Sequence, residues 1–398
     1  MKKIKLGDIG KVSMCKRILK SQTSPEEEIP FYKISTFGGQ ADCFISRKIF
    51  EEYKSKYSYP KVGDILISAA GTIGKTVIYD GSEAFYQDSN IVWIDNDESQ
   101  IINDYLYYFY QLEHWKKTTG STIARLYNDN LRDIEISFPE GIAKQRQIVS
   151  ILKLLDRKIL VNKKINATLE AMAKTLYDYW FVQFDFPDEN GKPYKTSGGK
   201  MIYNAELGRE VPAGWKVKGL AQIANIVQGN SPNGTTLNET GKGMIFFQGK
   251  TDFGFRFPEV RIYTTAPYRL AEKFDTLLSV RAPVGAVNMA HEKCCIGRGL
   301  AAIKSDYPSF IYYTMICLQT YLEKLSGIGT TFDSITKDDI MALKICIPPK
   351  NYIKMFDTVV SKYDNEILLK TDENDCLAAL RDWLLPMLMN GQVRFKEN

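Results

Sequence analysis

The chain reads as an α/β protein of mixed α and β character, built by tandem duplication from two globules that are each followed by a long helix. Three observations predict this. Residues 142–181, IAKQRQIVSILKLLDRKILVNKKINATLEAMAKTLYDYWF, hold no Pro or Gly and carry apolar residues at helical spacing. Residues 352–388 carry a second such stripe, and the strand-like segments ahead of the first helix recur in the same order ahead of the second.

At 398 residues the chain exceeds one ordinary core, so two or more domains are expected. With 44% hydrophobic and 12% aromatic residues it is not a disordered chain. A net charge of +5 permits a nucleic-acid partner without requiring one. The seven cysteines are scattered, with no C-x-x-C pair, which fits a reduced, cytoplasmic chain. The start, MKKIKLGDIGKV, has no apolar stretch behind its basic residues, and no apolar run is long enough to span a bilayer. Neither secretion nor membrane insertion is expected.

Residues 1–141 form the first globule. FYKIS (31–35), DILIS (64–68), TVIYD (76–80), NIVWID (90–95) and DIEISF (133–138) read as strands, and residues 102–117 as a helix. The first long helix takes residues 142–183. Residues 184–214, dense in Gly, Pro and Lys, read as an extended connector. A second globule fills 215–349, and residues 350–398 hold the second long helix and a tail.

The duplication is visible segment by segment. KLGDI (5–9) returns as GLAQI (219–223), and IPFYKIS (29–35) as MIFFQGK (244–250). GDILISAAGTIG (63–74) returns as FDTLLSVRAPVG (274–285), and residues 120–139 return as 329–348, including the closing strand and Pro. The offsets stay between about 208 and 215 residues throughout.

At about 1.5 Å rise per residue, roughly 40 residues make a rod about 60 Å long, whose apolar stripe a globule at one end cannot cover. The two stripes are expected to pair as an antiparallel coiled coil. In the first, Ile148, Leu155, Leu169 and Leu176 fall at a, Ile151, Ile165, Met172 and Tyr179 at d, and Leu152 and Ile159 at e. In the second, Phe356, Tyr363, Leu377 and Leu384 fall at a, and Val359, Leu380 and Met387 at d, with Lys370, Glu366 and Glu373 interrupting the stripe. Asn162 at an a position either fixes register or is solvated. Pro386 is expected to kink or end the second helix after Leu385, leaving a short piece closed by Gly391.

Catalytic signatures are sparse. AAGTIGKT (69–76) is one Gly short of a phosphate-binding loop, yet TVIYDGS after it reads as a strand and not as the helix such a loop must open. A β-hairpin with a Gly turn fits better, with Gly71, Gly74 and Gly285 as turn formers. His114 and His291 are the only histidines, which gives no metal or triad pattern. His114, beside Trp115, reads as a structural side chain. Cys294 and Cys295 read as one buried and one exposed strand residue. The chain is expected to catalyse nothing and to hold no cofactor or metal.

Globule, long helix, Gly/Pro connector, globule and long helix, with KINATLEAMAKTLYDYWFVQFDFP (164–187), EVPAGWKV (210–217) and LRDWLLPMLMNGQV (380–393), resemble the specificity subunit of type I restriction–modification enzymes over essentially the whole chain. QGKTDFGFRFPEVR (248–261) and LLSVRAPVGAVNMA (277–290) resemble its target-recognition domains. The resemblance implies two target-recognition domains that each read half of a bipartite site in double-stranded DNA, with the helices setting the gap. It also implies two docked methyltransferase subunits, a motor-nuclease restriction subunit, and S-adenosylmethionine and ATP with Mg in those partners. The other readings are a coiled-coil scaffold without sequence preference and a nucleotide-binding enzyme built on residues 69–76.

DNA reading needs basic groups for phosphates and planar donors or acceptors for base edges. The second globule offers Gln248, Lys250, Arg256, Arg261, Arg269 and Arg281, with Phe253 and Phe255 interleaved. The first offers Lys33, Thr36, Gln40, Arg47, Lys48, Thr72, Lys75, Arg125 and Asn128.

Overall fold

The computed structural model describes residues 1–112, 125–326 and 334–393. His114 and Trp115, and the end of the helix expected over 102–117, lie outside the described residues. The chain divides into two compact units, Met1–Ile159 with Asp375–Asn398, and Leu160–Asn374. Both long helices cross this division, so each unit takes part of each helix.

The first unit runs through β1 (Lys2–Lys5), β2 (Gly10–Ser13), β3 (Ile29–Tyr32), β4 (Phe44–Ile45), α1 (Arg47–Lys56), β5 (Ile65–Ser68), β6 (Thr76–Ile78), β7 (Phe85–Tyr86) and β8 (Ile91–Asn96). It continues with α2 (Asn103–Tyr110), α3 (Asn128–Arg132), β9 (Glu135–Phe138) and the first part of α4 (Ile142–Tyr177). One sheet has the order β2-β8-β5-β6, a second β4-β3-β7, and β1 pairs antiparallel with β9. β5 reads ILIS with all four residues buried, a continuous run that suits a strand covered on both faces.

Beyond α4 come β10 (Met201–Asn204), β11 (Arg209–Pro212), β12 (Lys216–Gly219), β13 (Asn225–Gln228), β14 (Leu237–Asn238), β15 (Met244–Phe247), β16 (Ile262–Thr264) and β17 (Leu270–Ala271). The second unit is completed by β18 (Thr276–Ser279), β19 (Val287–Met289), β20 (Cys294–Ile296), β21 (Leu300–Lys304), α5 (Pro308–Ser326), α6 (Lys337–Ala342), β22 (Lys344–Ile347) and part of α7 (Lys350–Met389). Its sheet β13-β21-β18-β19 repeats β2-β8-β5-β6 strand for strand, and β12 pairs with β22 as β1 does with β9. The parallel pair β3·β7 returns as β15·β20. The tandem duplication is therefore a duplication of topology.

Within the second unit, Asn162 on α4 donates to Glu373 and Asn374 on α7 at 2.9 and 3.0 Å, Asn166 donates to the Ile367 carbonyl at 3.3 Å, and the Tyr177 and Phe356 rings lie 5.7 Å apart. Rising numbers on one helix meet falling numbers on the other, so the pair is antiparallel. In the first unit Asp156 meets Arg381 at 2.9 Å in the same sense. Asn162 is fully buried, not solvated.

The seam is rotated from the heptad expectation. Leu152, Val360 and Ile367, at e, are buried, whereas the d residues Ile165, Met172, Tyr179, Val359 and Leu380 are 37–48% exposed. Each helix packs on the body of its unit as well as on its partner, and the face that satisfies both lies between a and e. Pro386 does not end α7, which runs on to Met389. The helix then closes at Gly391 (φ +71), with Gln392 N donating to the Met387 carbonyl at 2.9 Å and Gly391 N to the Leu388 carbonyl at 3.3 Å.

Two further expectations are corrected. Residues 184–214 are folded and not extended: β10 and β11 form a hairpin, Asp185 accepts from Thr196 N and Oγ1 at 2.8 and 2.7 Å, and Phe186 stacks on Tyr194 and Trp215 at 4.7 and 4.9 Å. Local Asp, Pro and aromatic contacts give this Gly-rich stretch a core. Cys294 and Cys295 are both buried, because β20 lies inside its sheet with both faces covered.

Asp357 on α7 accepts from Ser309 N and Phe310 N at 3.0 and 3.2 Å and so caps α5. Burial pushes its carboxyl up to about 6, against the two amide hydrogen bonds. A folded-state value above the unfolded one means that the fold holds the proton more tightly than the unfolded chain does. Stability from this group is present at low pH and is lost as pH rises through about 6. Thermal unfolding between pH 4 and 7 should therefore show Asp357→Asn gaining on the wild-type chain as pH rises; a constant difference would contradict the assignment.

Candidate nucleic-acid interface

In the first unit, three main-chain hydrogen bonds draw together the loops at the ends of the strands. Gln87 N donates to the Tyr32 carbonyl at 2.9 Å, Ala69 N to the Asn90 carbonyl at 2.7 Å, and Leu126 N to the Ala69 carbonyl at 2.8 Å. The second unit repeats them: Gly297 N to Phe247 O at 2.8 Å, Val280 N to Gly299 O at 2.9 Å, and Ile335 N to Val280 O at 3.0 Å. Each unit thus presents the same loop cluster, assembled from the turns after equivalent strands.

The hairpin loop in each cluster is organised by a serine. Ser68 Oγ donates to the Thr72 carbonyl and accepts Lys75 N at 2.9 Å, while Gly74 N donates to the Ser68 carbonyl at 2.9 Å. Ser279 Oγ donates to Arg281 O and Pro283 O at 3.0 Å, and Gly285 N to Ser279 O at 3.0 Å. Gly74 (φ +84) and Gly285 (φ +92) supply the left-handed residue that closes each turn. Residues 69–76 therefore form the tip of an antiparallel hairpin, with Lys75 Nζ on the Phe37 carbonyl. The amides that would hold a phosphate at a helix start are absent from this turn.

The first cluster gathers many of the expected residues. Ile34 N donates to the Gln87 side chain at 2.9 Å, which ties the turn of Lys33, Thr36 and Gln40 to the 87–90 turn. Lys33 pairs with Asp42 at 2.8 Å, and Thr36 Oγ1 accepts from Lys33 N at 3.1 Å. Arg125 donates to the Ser89 carbonyl at 3.1 Å, with its guanidinium 5.9 Å from the Tyr127 ring. Asn128 opens α3 immediately after, and Thr72 is exposed at the hairpin tip. Arg47 and Lys48 sit instead on the first turn of α1, where Arg47 is held by Glu28 and Glu83 at 2.9 and 3.1 Å. No hydrogen bond or ion pair among the described residues ties either to the cluster.

In the second cluster, Ser231 Oγ donates to the Gln248 side chain at 3.0 Å and accepts Arg298 N at 3.3 Å. Asp252, nearly buried, accepts Gln248 N at 2.8 Å and pairs with Arg261. Lys250 and Arg281 are exposed, and Arg269 lies over the Tyr268 ring at 5.0 Å. Phe253 packs on the core instead of projecting, whereas Phe255 is 63% exposed.

Arg256 must be withdrawn from the DNA-facing set. It is 1% exposed, with its guanidinium on Glu170 at 2.7 Å, on Tyr313 Oη at 3.1 Å and on Asp364. Burial pushes the Glu170 and Asp364 carboxyls up and the adjacent guanidinium opposes this. Gln87, Ser89, Ser231 and Arg298 were missed by the sequence reading. Placing the 87–90 turn on residues 297–299 by the duplication matches Gln87 and Ser89 to the turn that bears Arg298, whereas Ser231 lies outside both turns and carries no such signal.

Among the described residues no three His, Cys, Asp or Glu side chains gather as a metal ion would require, and no helix is long and apolar enough to cross a membrane.

The type I restriction modification DNA specificity domain family matches residues 1–171 and 212–377. A putative type I restriction enzyme specificity subunit of Haemophilus influenzae is 61% identical over 151 residues, 38% of this chain and 39% of that protein's length. The putative type I restriction enzyme MjaX specificity subunit of Methanocaldococcus jannaschii is 32% identical over 357 residues, 84% of this chain and 79% of that one. The crystal structure of a type I restriction-modification system S subunit from M. genitalium shares the fold, with a TM-score of 0.62 and 16% identity over 99% of this chain and 96% of that chain. Two family matches falling on the two halves of a duplicated topology agree with the matched loop clusters: the chain belongs to the type I restriction modification DNA specificity family.

Proposed function

We propose that this chain is the non-catalytic, sequence-specific DNA-binding subunit of a cytoplasmic type I restriction–modification complex, and that each loop cluster reads one half of a bipartite duplex target. The observation that carries this is the pair of equivalent clusters, each held by the same three main-chain bonds and each edged with Arg, Lys and Gln or Asn. Arg matches guanine bidentately and Gln or Asn matches adenine, while Lys contacts phosphates. In the first unit Lys33, Thr36, Gln40, Thr72, Lys75, Arg125 and Asn128 are assigned to this surface, with Arg47 and Lys48 as flanking phosphate contacts. In the second the assigned residues are Gln248, Lys250, Arg261, Arg269, Arg281 and Arg298.

The long helices set the gap between the half-sites. Their unpaired apolar residues support docking of two methyltransferase subunits: Met172, Leu176, Tyr179 and Tyr363 line an open groove in the second unit, and Leu154, Leu380 and Trp383 are exposed in the first. A motor-nuclease subunit joins that assembly, and S-adenosylmethionine and ATP with Mg are bound by the partners.

Selection from a pool of random duplexes, using the full chain with its methyltransferase subunits, tests the reading. Two short conserved blocks separated by a fixed unconserved gap are expected. Enrichment of no sequence leaves the scaffold reading, and a single uninterrupted block contradicts two readers.

A further inference from the structure

The two units keep one Asp and one Tyr at matching places but obtain the neutralising cation differently. In the first unit, Tyr108 on α2 donates to Asp156 on α4 at 2.6 Å, and the cation is Arg381 of the paired helix, 2.9 Å from Asp156. In the second, the duplication places Asp364 on α7 and Tyr313 on α5 at those positions, but the hydroxyl on Asp364 is that of Ser309, at 2.6 Å, and Tyr313 Oη accepts from Arg256 at 3.1 Å. The paired helix there contributes Glu170, a second carboxylate, and the cation is Arg256, which comes from the loop that bears Gln248 and Lys250.

The Arg256 socket fixes orientation as well as charge. The guanidinium meets carboxylates from both long helices, lies 3.6 Å from the Tyr312 ring centroid, and belongs to a residue whose own carbonyl accepts Met289 N at 3.0 Å. A planar fork held on two sides and stacked on a ring sets an angle that an ammonium would leave free. The loop transmits that setting over a short distance. Gly254 N donates to the Phe257 carbonyl at 3.2 Å and Glu259 N to the Asp252 carbonyl at 2.7 Å, while the Asp252 carboxylate accepts Gln248 N at 2.8 Å.

We propose that Arg256 is a positioning residue that fixes the reading loop 248–261 to both long helices, so that the second globule must supply its own key cation while the first need not; this rests on the DNA reading proposed above. Replacing residues 215–349 removes Arg256, Tyr312 and Tyr313 together and leaves the buried Asp364 and the half-buried Glu170 without that counter-ion. Replacing residues 1–141 leaves Asp156 and Arg381 paired, since both lie outside the replaced segment.

Four full-length variants test this by thermal unfolding and by selection from random duplexes: Arg256→Met, Arg256→Lys, Arg256→Met combined with Glu170→Gln and Asp364→Asn, and Arg381→Met. Arg256→Met is expected to lower Tm by about 10 °C, as loss of one partner of a buried ion cluster does in a unit of this size. It should also relax preference at one half-site by about 10-fold, with the other half-site unchanged. Arg256→Lys should keep more of the Tm and show the same relaxation. The neutralised triple variant should recover most of the Tm and still read that half-site loosely, which a purely structural role would not produce. Arg381→Met should leave that half-site unaffected. Recovery of both Tm and preference in the triple variant, or wild-type preference in Arg256→Met, overturns the proposal alone. A wild-type chain that selects no sequence overturns the DNA reading and this proposal with it.

Discussion

Replacing residues 1–141 with the equivalent domain of another family member is expected to change one half of the recognised sequence and to leave the other half and the gap intact. The cut falls where it severs least. β1 and β9 pair with each other inside the replaced segment, and the loop cluster with its three main-chain bonds is contained in it. What the graft must match is the contact with the long helices. Leu385, Leu388 and Met389 belong to the same core as Ile136, Phe138 and Tyr105, and Gln145 on α4 bonds the Ile102 amide at 3.0 Å and the Gln100 carbonyl at 2.7 Å. A donor domain that keeps apolar bulk at these places should fold on the helices. With each wrong base pair costing about 1–3 kcal/mol, two altered positions suffice to lower preference for the old half-site by roughly 100-fold. Mapping methylated adenines in cells that carry the exchanged chain reads the result directly. A change in both halves would mean that the two clusters do not read independently.

The duplication was legible because it is written in short buried segments that tolerate little change. Asp64 and Asp275 hold the turn before equivalent strands by accepting Lys61 N and Glu272 N at 2.8 and 2.7 Å, and Ser68 and Ser279 organise the loops after them. The hairpin at 69–76 was legible for a related reason, since β-branched residues after the Gly turn favour a strand over the helix that a phosphate loop would need.

Other features depend on partners distant in sequence. Arg256 sits among Gln, Lys and Phe in a loop-like string, and nothing local marks it as the one whose charge is met by Glu170 and Asp364. The heptad reading placed the seam at a and d because it weighed only the partner helix. Packing against the body of each unit turned the buried face toward e and left Met172 and Tyr179 in solvent. The connector misled through composition, because stacking of Phe186 on Tyr194 and Trp215 outweighs the backbone entropy of its glycines.

Lengthening the long helices should alter the gap and neither half-site. The natural place is the division between the units, between Ile159 and Leu160 on α4 and between Asn374 and Asp375 on α7. Four residues inserted in α4 alone would shift Asn162 by about one helical turn relative to Asp156. If the Asp156–Arg381 pair then held, the bonds from Asn162 to Glu373 and Asn374 could not form, and a buried amide would lose its partners at a cost of about 1–3 kcal/mol. That variant is expected to unfold several degrees lower and to select poorly. Four residues inserted at both places keep each set of cross-helix bonds and add about 6 Å of helix, close to two base pairs of duplex. Selection from random duplexes should then return both half-sites unchanged with a gap about two base pairs longer. An unchanged gap would remove the helices from the role of spacer, and altered half-sites would mean that the loop clusters respond to strain in helices they do not contain.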